Sequence, residues 1–158
     1  YHLDKAKRIL GLDAEFADCT YGNTGETRGF SKGRKAYNQE DARNMSRLYM
    51  VESNFSLTGG MADHRLRIAS SQIPAFTAAI GVAIIKKKSG NPNLRASLEK
   101  IAAPLNLPEQ SERVEACDND LLEYGKESII LCGNHQPEAV HQLVHYLNEL
   151  LGSRSHCW

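Results

Sequence analysis

The sequence predicts a three-layer α/β fold, in which a mostly parallel sheet is flanked by helices. Short apolar runs, typical of strands that are buried on both faces, alternate with longer segments of helical periodicity. With 158 residues, 41% of them apolar, the chain is long enough to bury one core without disulfides or metals. We therefore expect a single α/β domain over residues 1–152, followed by a tail at 153–158.

Four runs predict the strands of the sheet. They are residues 9–14, 48–51, 66–68 and 128–132. In open α/β sheets, ligands bind at the carboxyl ends of the strands. Glu52, which directly follows the second run, is therefore the first residue to consider for a site.

The helices are predicted between these runs. Ser70 or Ser71 is suited to cap one of them, Pro74 fits its first turn, and Gly125 and Gly152 fit helix ends. Strands that alternate with helices indicate parallel pairing with right-handed crossovers, as in a Rossmann-like domain. The predicted helices span residues 39–45, 71–87, 94–102, 112–124 and 137–151.

Two segments are predicted as loops. Residues 17–39 have no apolar period and are long for a connection, so we expect a functional or flexible loop. Its glycines fit neither the phosphate-binding loop nor the dinucleotide fingerprint, which favours a solvated segment. They are Gly22, Gly25, Gly29 and Gly33. Residues 58–63 are small and form the second predicted loop.

Charge and composition restrict the partners. Nineteen basic side chains balance nineteen acidic ones, so no nucleic-acid partner is expected. No apolar run reaches the roughly 20 residues of a membrane span. Four cysteines lack cluster or zinc spacing, which favours buried or free thiols. The start at Tyr1 is neither an initiator methionine nor a signal peptide, so we expect a piece of a longer protein.

Three carboxylates are expected to gather at the strand ends. Asp13, Glu15 and Glu52 follow the first and second strands. Such a group would suit acid–base chemistry. The alternative is a set of ordinary solvated acids. A serine hydrolase is not indicated, because the chain has no Gly-x-Ser-x-Gly elbow.

A histidine pair is the candidate metal site. His141 and His145 stand one turn apart on a predicted helix, and His135 is a candidate third ligand. The zinc peptidase motif requires a glutamate as base where this chain has Gln142. The alternative is a polar edge beside the apolar stripe of the helix, and we expect no catalytic residue and no metal here.

A family resemblance rests on the segment around the second strand. That strand ends in an acid, Glu52, and is followed by Thr58, Ala62-Asp63 and the short strand 66–68. This order resembles the molybdopterin oxidoreductase superfamily, in the domain that holds the guanine dinucleotide part of the cofactor. The most specific element is Met61-Ala62-Asp63-His64-Arg65-Leu66.

These motifs resemble most specifically the corresponding motifs of one member of that superfamily. Residues 9–16 resemble its first strand, and residues 133–137 resemble its Gly-x-x-Gln-Pro turn before a helix. The match is to the large iron–sulfur subunit of the quinol-oxidising alternative complex III, a Tat-variant-translocated molybdopterin oxidoreductase. The resemblance covers residues 3–152.

The departures from the family bear on the cofactor. The family's Gly-x-Asn-Pro turn is replaced by Asp13-Ala14-Glu15-Phe16, and its Asp-Pro-Arg arginine by Asn54. Ile73 stands where an aspartate binds the guanine, and an aliphatic side chain cannot accept that hydrogen bond. The resemblance therefore implies a vestigial pterin-dinucleotide site. Its candidate residues are Glu52, Ser53, Thr58 and Asp63.

The resemblance, with these departures, implies a structural domain of a respiratory electron-transfer subunit. It would hold no cofactor itself, while iron–sulfur clusters would lie elsewhere in the parent protein. Its partners would be other domains and subunits of a membrane-associated complex on the periplasmic face of a bacterial membrane, without a membrane span of its own. One alternative is the guanine-dinucleotide-binding domain of an active molybdenum oxidoreductase, with Glu52 on the ribose hydroxyls. Another is a hydrolase or metal-binding module built on Glu52, His135 and His141.

Overall fold

The sheet has four strands, and all of its pairings are parallel. The computed structural model describes residues 1–18, 24–104 and 108–158, and only the backbone of 108–113. The strands are β1 (Arg8–Leu12), β2 (Arg47–Glu52), β3 (His64–Arg67) and β4 (Ser128–Cys132). Their order across the sheet is β3-β2-β1-β4. The predicted α/β fold with a parallel sheet is confirmed.

Helices connect the strands and cover the sheet. Short 3₁₀ turns precede α4 and β4 and follow α7. The helices are α1 (Thr24–Gly33), α2 (Gln39–Arg43), α3 (Leu57–Gly60), α4 (Ile73–Lys87), α5 (Pro92–Ala102), α6 (Pro108–Tyr124) and α7 (Glu138–Leu151).

Side chains of the strands alternate between two cores. Leu10 and Leu12 of β1 pack in a core with α4 to α7, whereas Ile9 belongs to a core with Phe30 of α1. This is the period of two that a strand buried on both faces requires. Ile9 pairs in register with Leu48 on one side and Ile129 on the other, so β2, β1 and β4 form one continuous layer.

The predicted helix ends are confirmed at two glycines. Gly125, with φ +50°, follows α6, and Gly152, with φ +84°, ends α7. Both angles lie in the left-handed region that glycine adopts without steric cost. The predicted serine cap of α4 is wrong: residues Ser70–Gln72 form a 3₁₀ turn, and α4 begins at Ile73 with Pro74 in its first turn.

The two predicted loops contain helices. Residues 17–39 include α1, whose only buried residue is Phe30, so the sequence carries almost no apolar period there. The part of that prediction at residues 19–23, including Gly22, lies outside the described residues. Residues 58–63 overlap α3, which Ser56 caps by accepting a hydrogen bond from Gly59 N at 2.9 Å. The cap lies before the segment of small residues, so the segment alone did not indicate a helix.

An aspartate of α6 joins the amino ends of β1 and β2. Oδ2 of Asp120 accepts hydrogen bonds from Arg8 Nε at 2.9 Å, Arg47 Nη1 at 2.5 Å and Tyr49 Oη at 2.6 Å. Burial, and then the bond to Asp120, raises the pKa of Tyr49 to about 12. Arg8 also lies 3.7 Å above the centre of the Tyr124 ring. This end of the sheet is thus tied to α6 by paired charges.

The last residues pack onto the domain. Cys157 is fully buried in the α1-side core, and its carbonyl accepts a hydrogen bond from His2 N at 2.8 Å. Ser153 Oγ donates to the carbonyl of Ser128 in β4. The predicted tail 153–158 is therefore ordered against the sheet. Of the helices in the described part of the chain, none is long and apolar enough to cross a membrane.

Candidate functional site

A cleft opens at the carboxyl edge of the sheet, where the direction of the strand order reverses. From β1 the chain proceeds to β2 and β3 on one side, and then crosses to β4 on the other. In open α/β folds this reversal separates the loops and leaves a crevice. Here the crevice measures about 820 Å³. Its lining includes Asp13, Glu15, Glu52, Ser53, Cys132 and His135.

Asp13 lies at the centre of this edge. Its side chain is 5% exposed, and its Oδ1 accepts a hydrogen bond from Ser53 N at 2.9 Å. Its Oδ2 accepts from Gln136 Nε2 at 2.9 Å and Ser70 Oγ at 3.3 Å, and lies 3.1 Å from His135 Nε2. One carboxylate therefore joins the ends of three strands and the turn before α4. Its φ of +48° is one that aspartate tolerates better than most residues.

The loops after β1 and β4 touch through a glycine. A Cβ atom on Gly133 would lie 2.0 Å from the carbonyl oxygen of Asp13. Gly133 N donates to the carbonyl of Leu12 at 2.9 Å, which continues the β1–β4 ladder beyond the strands. This close approach is why glycine follows β4 at this position.

Glu52 is buried and paired. The residue is 2% exposed, and its Oε1 accepts a hydrogen bond from Arg65 Nε. Ser56 donates to the same carboxylate through its Oγ, at 2.5 Å to Oε2, and through its backbone N–H. The guanidinium of Arg65 neutralises the buried charge. The paired glutamate forms a packed part of the cleft wall.

Glu15 is held by Thr58 and by its own loop. Thr58 is fully buried, and its Oγ1 donates to Glu15 while accepting from Phe16 N and Ala17 N at 3.1 Å each. Burial opposes ionisation of Glu15. Hydrogen bonds from Thr58 and from Asp18 N outweigh it, so the pKa lies below its usual value. This carboxylate is an anion at neutral pH.

The four predicted site residues do not all meet. Glu52 and Ser53 line the cleft, and the Thr58 hydroxyl lies behind it under the β1 loop. Asp63 lies at the opposite, amino end of β2. There its Oδ2 accepts from Leu48 N at 2.8 Å and Arg34 Nη1 at 2.5 Å.

The site also contains residues that strand-end reasoning missed. Gln136 is buried and donates to Asp13, although it belongs to a turn after β4. The aspartate that directly follows β1 was predicted to lie at the strand ends. Nothing in local spacing indicated that an amide 123 residues away would bind it, since that contact depends on β1 and β4 being neighbours.

The histidines contact different partners. His135 lies beside Asp13, His141 Nε2 is 3.8 Å from Cys132 Sγ, and the His145 ring packs against Trp158 at a centroid distance of 4.6 Å. Across residues 1–18, 24–104 and 108–158, no group of three or more His, Cys, Asp or Glu side chains is arranged to hold a metal ion.

The thiol in the cleft is protonated at neutral pH. Burial, and then the negative charge of Asp13, raises the pKa of Cys132 to about 11. A thiolate is the form that acts as a nucleophile. The contact with His141 at 3.8 Å is that of a weak sulfur hydrogen bond.

Of three positions that depart from the pattern of the resemblance, one lies in the core and two line the cleft. Ile73 is fully buried in the core on the α4 side. Phe16 lines the cleft, and its ring packs edge-on against Phe30 with centroids 5.2 Å apart. Asn54 lines the cleft.

Comparison with models of known protein families and with curated protein sequences yields no match to this chain.

Proposed function

We propose that this chain is a non-catalytic, structural α/β domain of a molybdopterin-oxidoreductase-like subunit in a respiratory, quinol-oxidising electron-transfer complex. The observation that carries the proposal is the state of the carboxylates at the cleft. Asp13, Glu15 and Glu52 each accept hydrogen bonds from protein donors. In this arrangement the acids join loops to one another, as structural groups do.

The electrostatics of the cleft disfavour a dinucleotide. Asp13, Glu15, Asp18, Glu26 and Glu52 all line it. Glu52 is paired with Arg65 and Glu26 with the amino group of Tyr1, so Asp13 and Glu15 are the carboxylates that would repel a pyrophosphate. The family's arginine after β2 is replaced by Asn54. Arg65, the cation nearest to Glu52, is bonded to that residue. Phosphate sites usually present cations and free backbone N–H groups instead.

The geometry also supports a non-catalytic role for this chain. A nucleophile, a base and an oxyanion site should converge in an active site. Here Cys132 is held as a thiol, and its 3.8 Å contact with His141 is a weak sulfur hydrogen bond. Under this proposal the catalytic groups and the iron–sulfur clusters belong to other parts of the parent protein. The domain would contact neighbouring domains and subunits at the periplasmic face of a bacterial membrane.

One observation favours the guanine-dinucleotide alternative. The cleft lies at the strand-order reversal, and its 820 Å³ falls within the usual 300–1,000 Å³ or so of ligand pockets. In that alternative Glu52 would bind ribose hydroxyls, with Ser53 and Asn54 beside it. Because Glu52 is already bonded to Arg65, ribose binding would require that ion pair to rearrange.

Titration calorimetry with guanosine diphosphate separates the two functions. The structural domain is expected to give no binding heat at millimolar nucleotide. Micromolar binding that Glu52→Gln weakens by about tenfold or more would overturn the proposal and establish the alternative. Glu52→Gln keeps the side-chain shape. Glu99→Gln, on the exposed face of α5, is the matched control and should leave any binding unchanged.

A further inference from the structure

Strand β3 is an open edge of the sheet. It is the last strand in the order β3-β2-β1-β4, and no other strand in the described part of the chain pairs with its outer side. His64 and Arg67, at its two ends, are exposed. Open edges carry unpaired N–H and C=O groups, which are templates for another strand.

An apolar groove runs beside β3 on the α4 side of the sheet. The groove measures about 360 Å³ and is lined mostly by apolar residues of β2, β3, α4 and α6 and by Leu10 of β1, with Asp63 just before β3. The Leu66 side chain packs towards the core on this side, and Phe76 and Cys117 form the far wall. A strand placed next to β3 would direct alternate side chains into this groove, where aliphatic groups would be buried.

The opposite side of β3 is basic and bordered by exposed apolar side chains. Arg65 faces this side, since it bonds Glu52 and lies 4.8 Å above the Phe55 ring. Arg67, two residues on, points the same way. Phe55 is 76% exposed and Leu57 is 64% exposed. A neighbouring strand would therefore meet positive charge on this side and apolar surface beyond it.

We propose that the edge of β3 binds an extended segment of a partner polypeptide in which carboxylate and aliphatic side chains alternate. The backbone of the segment extends the sheet by one strand. Its aliphatic side chains occupy the groove between β3 and α6, and its carboxylates lie against Arg67. The apolar groove on one side of β3 and the positive charge on the other thus favour a segment in which aliphatic and acidic side chains alternate.

A second copy of this chain fits the edge poorly. Two β3 strands paired antiparallel about a twofold axis, in their fullest register, would place His64 opposite Arg67 of the second copy. In twofold registers whose axis passes through Arg65, Leu66 or Arg67, an arginine of one copy lies opposite an arginine of the second. The arginine pairs place like charges directly opposite one another, which destabilises a strand pair, and the fullest register offers Arg67 no carboxylate. The charge of β3 therefore selects an acidic partner over self-association.

This inference adds a partner surface to the structural function proposed above. It rests on that function only in expecting a neighbouring polypeptide. The cleft and the β3 edge share the Glu52–Arg65 ion pair, so the two tests use different signals: binding heat with guanosine diphosphate for the cleft, and shifts of the β3 amides with a peptide for the edge. Nucleotide binding would overturn the structural function, whereas unshifted β3 amides would overturn only the proposal for the edge.

The test uses a capped peptide of alternating glutamate and valine, EVEVEVE, titrated into the ¹⁵N-labelled chain. We expect amide resonances of residues 64–67 to shift with the peptide. Arg67→Glu should weaken the affinity by about tenfold or more, because attraction becomes repulsion. Lys100→Glu, an exposed charge reversal on α5, is the matched control and should change the affinity by less than about twofold.

Two further peptides test the backbone and charge requirements. EVEPEVE should bind much more weakly, since proline cannot donate the ladder hydrogen bond. KVKVKVK should produce no shift at the same concentration. The proposal is overturned by unshifted β3 amides at millimolar EVEVEVE, by equal binding of the lysine peptide, or by an unchanged affinity of Arg67→Glu. A dimer in sedimentation equilibrium that Arg67→Glu abolishes would also overturn it, since the edge would then belong to a second copy.

Discussion

A Cβ atom on Gly59 would lie 1.9 Å from Oε1 of Glu52, so the backbone of α3 is packed directly on this carboxylate. The approach encloses the acid together with Arg65 and Ser56. It also explains the small residues between β2 and β3: a side chain at position 59 would occupy the space that the glutamate fills.

Replacing Gly59 with alanine should therefore destabilise the protein. We expect the free energy of unfolding to fall by about 1–3 kcal/mol, because the added methyl group must displace a buried, paired carboxylate. Chemical denaturation monitored by circular dichroism measures the loss. Gly60→Ala is the matched control in the same helix, because its Cβ would meet only Phe55 at 3.5 Å. The interpretation fails if both variants have the same stability.

Asp13→Asn tests whether the central carboxylate is structural. Asparagine accepts the left-handed φ and can still bind Ser53 N, but its amide nitrogen cannot accept from Gln136 or Ser70. We expect a loss of about 1–3 kcal/mol in unfolding free energy. The exposed Asp4→Asn should change it by less than about 0.5 kcal/mol.

The sign of the Asp13→Asn effect distinguishes two roles. A residue kept for ligand binding at a cost in stability would give a more stable protein when replaced. An increase in the free energy of unfolding for Asp13→Asn would thus contradict the structural role that its hydrogen bonds indicate. The same denaturation experiment gives this answer without a ligand.

Asp118 should make the protein less stable as pH rises. This residue of α6 is buried, and its Oδ1 has no hydrogen-bond partner among the described residues. Burial, with Lys87 opposing and Glu115 adding to the effect, raises its pKa from 3.8 to about 8. Below pH 3.8 the side chain is protonated in both states and imposes no penalty. Between 3.8 and about 8 the unfolded chain releases a proton that the folded chain retains, so the free energy of unfolding falls.

Asp118→Asn should remove that dependence. The contribution has a slope of about 1.4 kcal/mol per pH unit within the window, and the amide should stabilise the protein at pH 7. Denaturation at several pH values between 4 and 8 measures it as the difference between variant and wild type. Asp120→Asn would not behave in this way, because burial raises the pKa of Asp120 but is outweighed by the hydrogen bonds from Tyr49 and Arg47, which lower it. A constant difference across the range would show that Asp118 does not titrate there.

The sheet was predictable because its signal is local. β4 agrees with the predicted residues 128–132, and the runs at 9–14 and 48–51 each lie within one or two residues of β1 and β2. Each is a continuous apolar run between polar residues, as burial on both faces requires. The helix α1 was not predicted, because it buries one phenylalanine and its remaining polar residues show no apolar periodicity.

The site was predictable in outline. The rule that ligands bind at the carboxyl ends of strands correctly brought Asp13, Glu15 and Glu52 to one edge. The pairing of these acids was not predictable, because Gln136, Thr58 and Arg65 reach them through strand order and loop packing. Asp63 was placed at the wrong end of the sheet because its position also depends on the path of the chain. It follows the strand-end loop in sequence, yet the chain has already returned to the amino end of β2 when it reaches this residue.

The position of β4 beside β1 also has a kinetic consequence. Arg8 pairs with Ser128, a separation of 128 − 8 = 120 residues, whereas β1 and β2 are joined by a much shorter segment. Closing the longer loop costs more chain entropy before any contact is gained. During synthesis, β1 and β2 can associate while the other side of β1 remains open, and only the emergence of β4 completes the layer. Strand β1, which is interior in the finished sheet, therefore begins as an edge, and the interval before β4 arrives is when the nascent chain is most exposed to aggregation.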